Sequence, residues 1–451
     1  MKRKITYQST NGKISGVSFR DALLKGLAPD GGLFMPDKIP FFSEDELDSF
    51  RNMAFHEIAT EIIDKYTSGD IRREDLKKLC RDAFNFPVPI ESVTEKKYIL
   101  RLDHGPTASF KDFAARMMSR LMQHFLALEK RNLTILTATS GDTGSAVANA
   151  FLGLLNIRVI VLFPEDEVSL MQRKQMTTLG GNITTVAVNG KFDDCQGLVK
   201  KAFLDPALSH LPLTSANSIN IGRLLPQSVY YFYAWSRVTS TRSDKVIFSV
   251  PSGNFGNVTA GLFAKKMGLP VEKFIVSTNS NDEFPVYLRT GSYVPIVPSV
   301  KCISSAMNVG HPSNLPRILS LYGGIMDEKG NILRQPSEKL KDEIFSVKVS
   351  DEDTLSVIAD AFSELNVLLE PHGAVAWKGI EEYIDNQRNE NYIYISLETA
   401  HPAKFPEELV KILNFAPVLP DSLAQLDSKK EFFQTINPEY SQLKEIILQN
   451  R

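Results

Sequence analysis

A lysine stands where a helix is about to begin. In Pro106-Thr107-Ala108-Ser109-Phe110-Lys111-Asp112 the chain enters an amphipathic run whose apolar positions, from Phe110 and Phe113 to Met122 and Phe125, are spaced by threes and fours. Ser109 is an N-cap candidate, which predicts Lys111 in the first helical turn. The positive end of the helix dipole disfavours a cation there. The same field lowers the pKa of an amine that must work as a neutral nucleophile. Such a lysine either extends into solvent or does covalent chemistry, and the local pattern leaves both open. Asp112 suits the dipole as any first-turn acid does.

Two small-residue turns offer anion sites. Pro251-Ser252-Gly253-Asn254-Phe255-Gly256-Asn257 lies between a β-branched run and a helical one. Backbone N–H groups at Gly253, Asn254, Phe255, Gly256 and Asn257 can ring a phosphate at a helix N-terminus, or simply make a tight turn. Thr139-Ser140-Gly141-Asp142-Thr143-Gly144 is a second turn of this kind, where Asp142 can also cap the helix that follows. Neither matches GxGxxG or GxxxxGK[ST], so dinucleotide and triphosphate readings lose support. No HExxH occurs, and the seven histidines are scattered, which predicts no metal site. Cys80, Cys195 and Cys302 lack CxxC spacing and fit neither a disulfide framework nor zinc; packing in a reducing cytoplasm suits them.

These turns need a frame. Leu133–Thr139, Ile157–Phe163, Ile183–Val188, Lys245–Val250, Phe274–Thr278 and Tyr392–Leu397 read as short strands apolar on both faces. Helical segments at Gly144–Leu155, Val168–Thr178 and up to Met267 separate them. That pattern predicts an α/β protein with parallel sheets covered on both sides. The first ninety residues have acidic-start helices such as Ser43–Leu47 and few strong strands, so they form a separate, mainly helical N-terminal domain. A charged tail from Ser428 reads as a peripheral helix. The 451 residues suit two or three domains, and 43% hydrophobic with 23% charged residues is ordinary for a globular protein. A net charge of −2 supplies no field for nucleic acid or an anionic membrane. The basic start has no apolar run behind it, and no stretch of 18 apolar residues predicts a membrane span.

Taken in order, these stretches resemble a known family. Pro106–Asp112 is similar to the Schiff-base lysine motif of threonine synthases, within the tryptophan-synthase-β-like (fold type II) pyridoxal-phosphate enzymes. Tyr7–Gly12, Gly26–Leu33, Thr139–Ser145, Asn217–Asn220 with Arg223–Gln227, Ser252–Asn257 and Glu398–Phe405 resemble the long bacterial and fungal form in the same order. The resemblance runs to about residue 425. It implies two doubly wound sheets behind the N-terminal domain (1–92), with a catalytic region over 93–427, its smaller half near 105–220, and a C-terminal piece over 428–451.

The resemblance also assigns roles. Lys111 carries pyridoxal 5'-phosphate and then acts as base at the substrate α-carbon. Gly253, Asn254, Phe255, Gly256 and Asn257 cup the cofactor phosphate, and Thr399 meets the pyridine nitrogen. A hydroxyl there tunes the electron sink down, because it cannot hold a ring proton as a carboxylate would. Ser140, Gly141, Asp142 and Thr143 face the amino acid's carboxylate, with the acidic Asp142 side chain turned away. Substrate phosphate needs a cation, and Arg223 with Asn217 and Asn220 is the expected site; Arg223 alternatively braces a helix over Ile221–Arg237. The implied reaction turns O-phospho-L-homoserine and water into L-threonine and phosphate, in a cytoplasmic monomer or weak homodimer. The alternatives are a phospholyase releasing 2-oxobutyrate, a threonine or serine dehydratase, or a catalytically dead ligand-binding relative.

Overall fold

The computed structural model describes residues 4–67, 69–139, 141–387 and 391–449. Two sheets carry the fold. The larger runs in the order Ile344–Lys348, Val271–Thr278, Val246–Pro251, Ile393–Glu398, Lys97–Arg101, Ile90–Ser92, all parallel except the last. The smaller runs Gln434–Ile436, Ile183–Val188, Ile157–Pro164, Leu133–Ala138, Leu213–Thr214, parallel throughout.

The unbroken apolar character of the strands follows from helices on both faces. Side chains alternate across a strand. Accordingly Ile135, Val159 and Val161 enter the main core, while Leu136, Ile160 and Leu162 enter a second core under the helix Phe192–Leu204. In the larger sheet Phe248 and Phe274 face the main core, and Ile247 and Ile275 face the helix Pro371–Gln387.

Three elements differ from the sequence expectation. The helix expected over Ile221–Arg237 is broken into Ile221–Leu224, a 3-10 turn at Leu225–Ser228 and Val229–Val238. Pro226 sits in that turn, where it lacks the N–H an α-helix would use. Lys97–Arg101 is a strand, although charged residues flank its three apolar ones, and it pairs with Ile393–Glu398 inside the large sheet. The C-terminal tail is more than a peripheral helix. Gln434–Ile436 extends the smaller sheet, and Leu443, Ile446 and Ile447 of the helix Tyr440–Gln449 seal its second core.

The N-terminal ninety residues are mainly helical, with one two-stranded pair, Tyr7–Ser9 with Phe34–Pro36. Ser43 and Glu46 form the capping box expected of an acidic-start helix. Their apolar residues, including Tyr7, Phe19 and Ile62, join the main core of the two sheets. Among the described residues no helix is long and apolar enough to cross a membrane, and no group of His, Cys, Asp and Glu side chains is arranged to hold a metal.

Candidate active site

Lys111 opens the helix Lys111–Glu129, with Ser109 Oγ accepting its backbone N–H at 3.3 Å. The strap before it is tied on both sides. Asp112, fully buried, turns back to accept the N–H of Thr107 at 2.8 Å and its hydroxyl at 2.7 Å. On the other side Phe110 N–H donates to Thr399 O at 2.9 Å, and His401 N–H donates to Ala108 O at 3.1 Å. The loop that carries Lys111 and the segment that carries Thr399 therefore set each other's position.

Five non-glycine residues adopt a positive φ among the described residues. Lys130, Asn366 and Asn414 end helices, an ordinary use of that conformation. The other two, Ala108 (φ 52°) and Phe255 (φ 59°), flank the site. Each costs about 1–3 kcal/mol, strain that persists only where surrounding contacts over-determine it. Phe255 is so held: its ring packs edge-on against Phe284, with centroids 4.9 Å apart.

Phe255 precedes the helix Gly256–Lys266, whose first residues open onto a solvent-connected cavity. Gly253, Asn254, Phe255, Gly256 and Asn257 line it, opposite Lys111, Asp142, Thr143, Arg223 and Thr399. Asn254 is fixed by Ser313, whose N–H and hydroxyl both reach its Oδ1. Asn257 Oδ1 accepts the hydroxyls of Tyr230 (2.5 Å) and Tyr231 (2.6 Å), which leaves its buried Nδ2 without a protein partner. Arg223 Nη1 donates to Ala216 O at 2.7 Å, while its buried Nε also has no protein partner. Both residues line the cavity, and each keeps one buried donor without a protein partner.

The charges in the cavity act on one another. Burial first, then the Arg223 cation, pulls the Lys111 amine from the ordinary lysine range down to about 8; Asp142 opposes this and Lys404 adds to it. Burial lowers Arg223 to about 10, so it remains a cation at neutral pH. For Asp142, burial pushes the carboxyl up, but the Lys404 charge and hydrogen bonds from Lys404 and Gln172 outweigh it and hold it low. Behind Thr399, Glu370 accepts the Thr399 hydroxyl (3.3 Å), the His372 N–H (2.7 Å) and ring Nδ1–H (2.5 Å), and Gly373 N–H (3.0 Å). Ala306 N–H donates to His372 Nε2 at 3.1 Å, which puts the ring proton on Nδ1.

This geometry can be set beside known proteins. Residues 6–84 match the model of the threonine synthase N terminus, 88–394 that of pyridoxal-phosphate dependent enzymes and 373–447 that of the threonine synthase C-terminal region. A threonine synthase of Buchnera aphidicola is 41% identical over 437 residues, covering 96% of this chain and 97% of its own. The chain belongs to the threonine synthase family. The crystal structure of the Escherichia coli threonine synthase superposes with a TM-score of 0.88 at 38% identity, over 99% of this chain and all of that one. The PLP-bound threonine synthase of Brucella melitensis gives 0.90 at 34%, over 99% of both chains.

The family's cofactor is pyridoxal phosphate, and the cavity suits it. Lys111 supplies an amine with a lowered pKa, and the cup supplies helix N–H groups for a phosphate. Not every residue expected at the site lines it. Lys111, Asp142, Thr143, Arg223, the cup and Thr399 do. Asn217 and Asn220 do not. Asn217 bonds to Thr137 and to Ala138 O, and Asn220 spends both amide hydrogens on Leu23 O and Ser215 O, tying this segment to the N-terminal helix Phe19–Lys25. Gly141 shapes the loop from behind, with φ 146° and Gln172 packed where a Cβ would lie. Ser140 lies outside the described residues. Sequence reasoning missed Ser218, Met307 and His372 in the lining. Ser218 lay inside a motif already singled out, whereas nothing near Met307 signals a ligand.

The cup's two glycines are not equivalent. A Cβ on Gly253 would meet Met307 Cα at 2.9 Å and Ala306 O at 3.1 Å, both backbone, whereas one on Gly256 finds nothing closer than 3.6 Å. Gly253→Val is therefore expected to weaken pyridoxal phosphate binding about tenfold or more, in line with ~1–3 kcal/mol for overpacking. Gly256→Ala should bind within a fewfold of wild type. Titration of the apoprotein with cofactor, followed by absorbance, checks both, and equal affinities would make the Gly253 contact irrelevant.

Proposed function

We propose that the protein converts O-phospho-L-homoserine and water into L-threonine and phosphate. The observation that carries the reading is the pairing, in one cavity, of a nucleophilic lysine and phosphate cup with a second, separate cation at Arg223. One anion site serves the cofactor; the other is free for the substrate's own phosphate. When bound, pyridoxal phosphate supplies the electron sink for carbanions at the substrate. The chain does the rest. Lys111 Nζ would hold the cofactor through its aldehyde carbon with loss of water. Displaced by the substrate's amino group, the free amine would take the proton from the α-carbon and then one from the β-carbon, and protons would return to the γ- and α-carbons as water adds at the β-carbon. Arg223 holds the phosphate that leaves the γ-carbon, where its buried position strengthens a charge-assisted contact. Asp142 and Thr143, at the start of the helix Asp142–Phe151, receive the substrate carboxylate with backbone N–H groups, and Gly141 shapes the turn behind them. The Thr399 hydroxyl, with Glu370 behind it, would face the cofactor's pyridine nitrogen. Three buried thiols suit a cytoplasmic, reducing setting.

Incubation with O-phosphohomoserine should release threonine and phosphate in equal amounts. Release of 2-oxobutyrate and ammonia in place of threonine would reassign the protein as an eliminating phospholyase.

A further inference from the structure

Two charged residues of the Glu398–Phe405 stretch, Glu398 and Lys404, are absent from the cavity wall and unused by the reaction above; Lys404 is the one that reaches the loops of the site. Lys404 ends the 3-10 turn Pro402–Lys404, and its side chain has no exposure at all. Its ammonium donates to Asp142 Oδ1 at 2.7 Å and to Thr107 O at 2.9 Å. The helix Leu170–Thr177 backs the same two groups: Gln172 Nε2 reaches Asp142 Oδ1 at 3.1 Å, and Gln175 Nε2 reaches Thr107 O at 3.0 Å. A buried ion pair contributes little net stability, because desolvating both partners offsets their attraction. Breaking it by removing one partner is costly, since the other charge is left buried and alone. What such a pair does well is hold two segments in register.

We propose that Lys404 is a positioning residue: it locks the Gly141–Thr143 loop against the Thr107–Phe110 strap, so that the loop facing the substrate carboxylate keeps a fixed distance from the Lys111 amine. The proposal rests on the reaction proposed above for the meaning of that loop, while the register itself is set by geometry. Apart from the neutral contacts of Gln172 and Gln175, the two segments hang on different elements. The loop starts the helix Asp142–Phe151 beside the smaller sheet, and the strap pairs with Thr399–His401 just past the end of Ile393–Glu398, an interior strand of the larger one. Lys404 is the charged link between them. Asp142 faces Lys404, Lys111 and His372; Lys404 in turn lies near Asp142, Asp112, Lys111 and His401. With Lys404 removed, Asp142 would sit among these groups without its main partner. It would then be tolerated when protonated and disruptive when ionised.

The experiment compares holoenzymes carrying Lys404→Met, Asp142→Asn and both, reading kcat/KM with O-phosphohomoserine and affinity for pyridoxal phosphate by absorbance. Lys404→Met is expected to lose roughly a hundredfold in kcat/KM, with the loss growing as pH rises through the neutral range. The double variant should recover at least about tenfold of that, with a flat dependence relative to wild type, because two neutral groups replace the pair. A double variant no better than Lys404→Met would overturn the proposal. If Lys404→Met does not fold, the double variant is compared with Asp142→Asn alone. Activities within about tenfold support action through Asp142, and a far lower double variant refutes it. Wild-type enzyme that makes no threonine would sink the proposed reaction alone, since cofactor affinity across the same four proteins still reads the coupling.

Discussion

Lys111→Ala should abolish covalent attachment of pyridoxal phosphate and cut turnover at least about a thousandfold, because the lost amine is both nucleophile and base. The fold should survive. Alanine is the best helix former, and the change removes a desolvated amine without opening the main core. Borohydride reduction of the wild type followed by peptide mapping should place the pyridoxyl group on Lys111; a label on another lysine would refute the assignment. A pH experiment sharpens this. With the amine pulled to about 8, the neutral form grows tenfold per pH unit below that value and saturates above it. Cofactor uptake by the apoprotein should therefore rise with pH and level off near 8. With an ordinary lysine, uptake would keep accelerating towards pH 10.5.

Arg223→Ala carries the second large effect. Loss of a charge-assisted contact to the substrate phosphate costs about 1.5–3 kcal/mol, or roughly ten- to a hundredfold and somewhat more in kcat/KM. The cofactor's visible absorbance should remain, since the cup lies on a different helix. Arg223→Lys should restore only part of the rate, because a point charge does not reproduce the planar fork. The variant also acts on Lys111. Removing a nearby cation raises that amine's pKa, so the uptake profile should shift to higher pH. Loss of cofactor with unchanged substrate affinity in the remaining holoenzyme would mean that Arg223 serves the other phosphate.

Much of the frame was legible because local rules and global packing agree. Runs such as Ile157–Phe163 and Ile183–Val188 are apolar on both faces, and only a parallel sheet covered twice accommodates them. Lys111 at a helix start and small residues at 253–257 are likewise local signals with a local physical cause. The breaks came where tertiary context overrides a window of sequence. Lys97–Arg101 carries too few apolar residues to announce a central strand, and it becomes one because Ile393–Glu398 offers an unpaired edge beside it. Gln434–Ile436 is a strand only because Ile183–Val188 does the same.

The sequence by itself determined the chemistry on offer: an amine at a helix N-terminus, a phosphate turn, an arginine and a threonine in an order that resembles one family. Tertiary structure alone decided which of those groups meet. Asn217 and Asn220 share a motif with Arg223, yet they spend their amides on backbone carbonyls while Arg223 lines the cavity. Asp142 looked out of place beside a substrate carboxylate, and its explanation, Lys404, lies 262 positions away in the chain and 2.7 Å away in space. Charge compensation between buried groups depends on distance and desolvation. Neither quantity has any trace in sequence spacing.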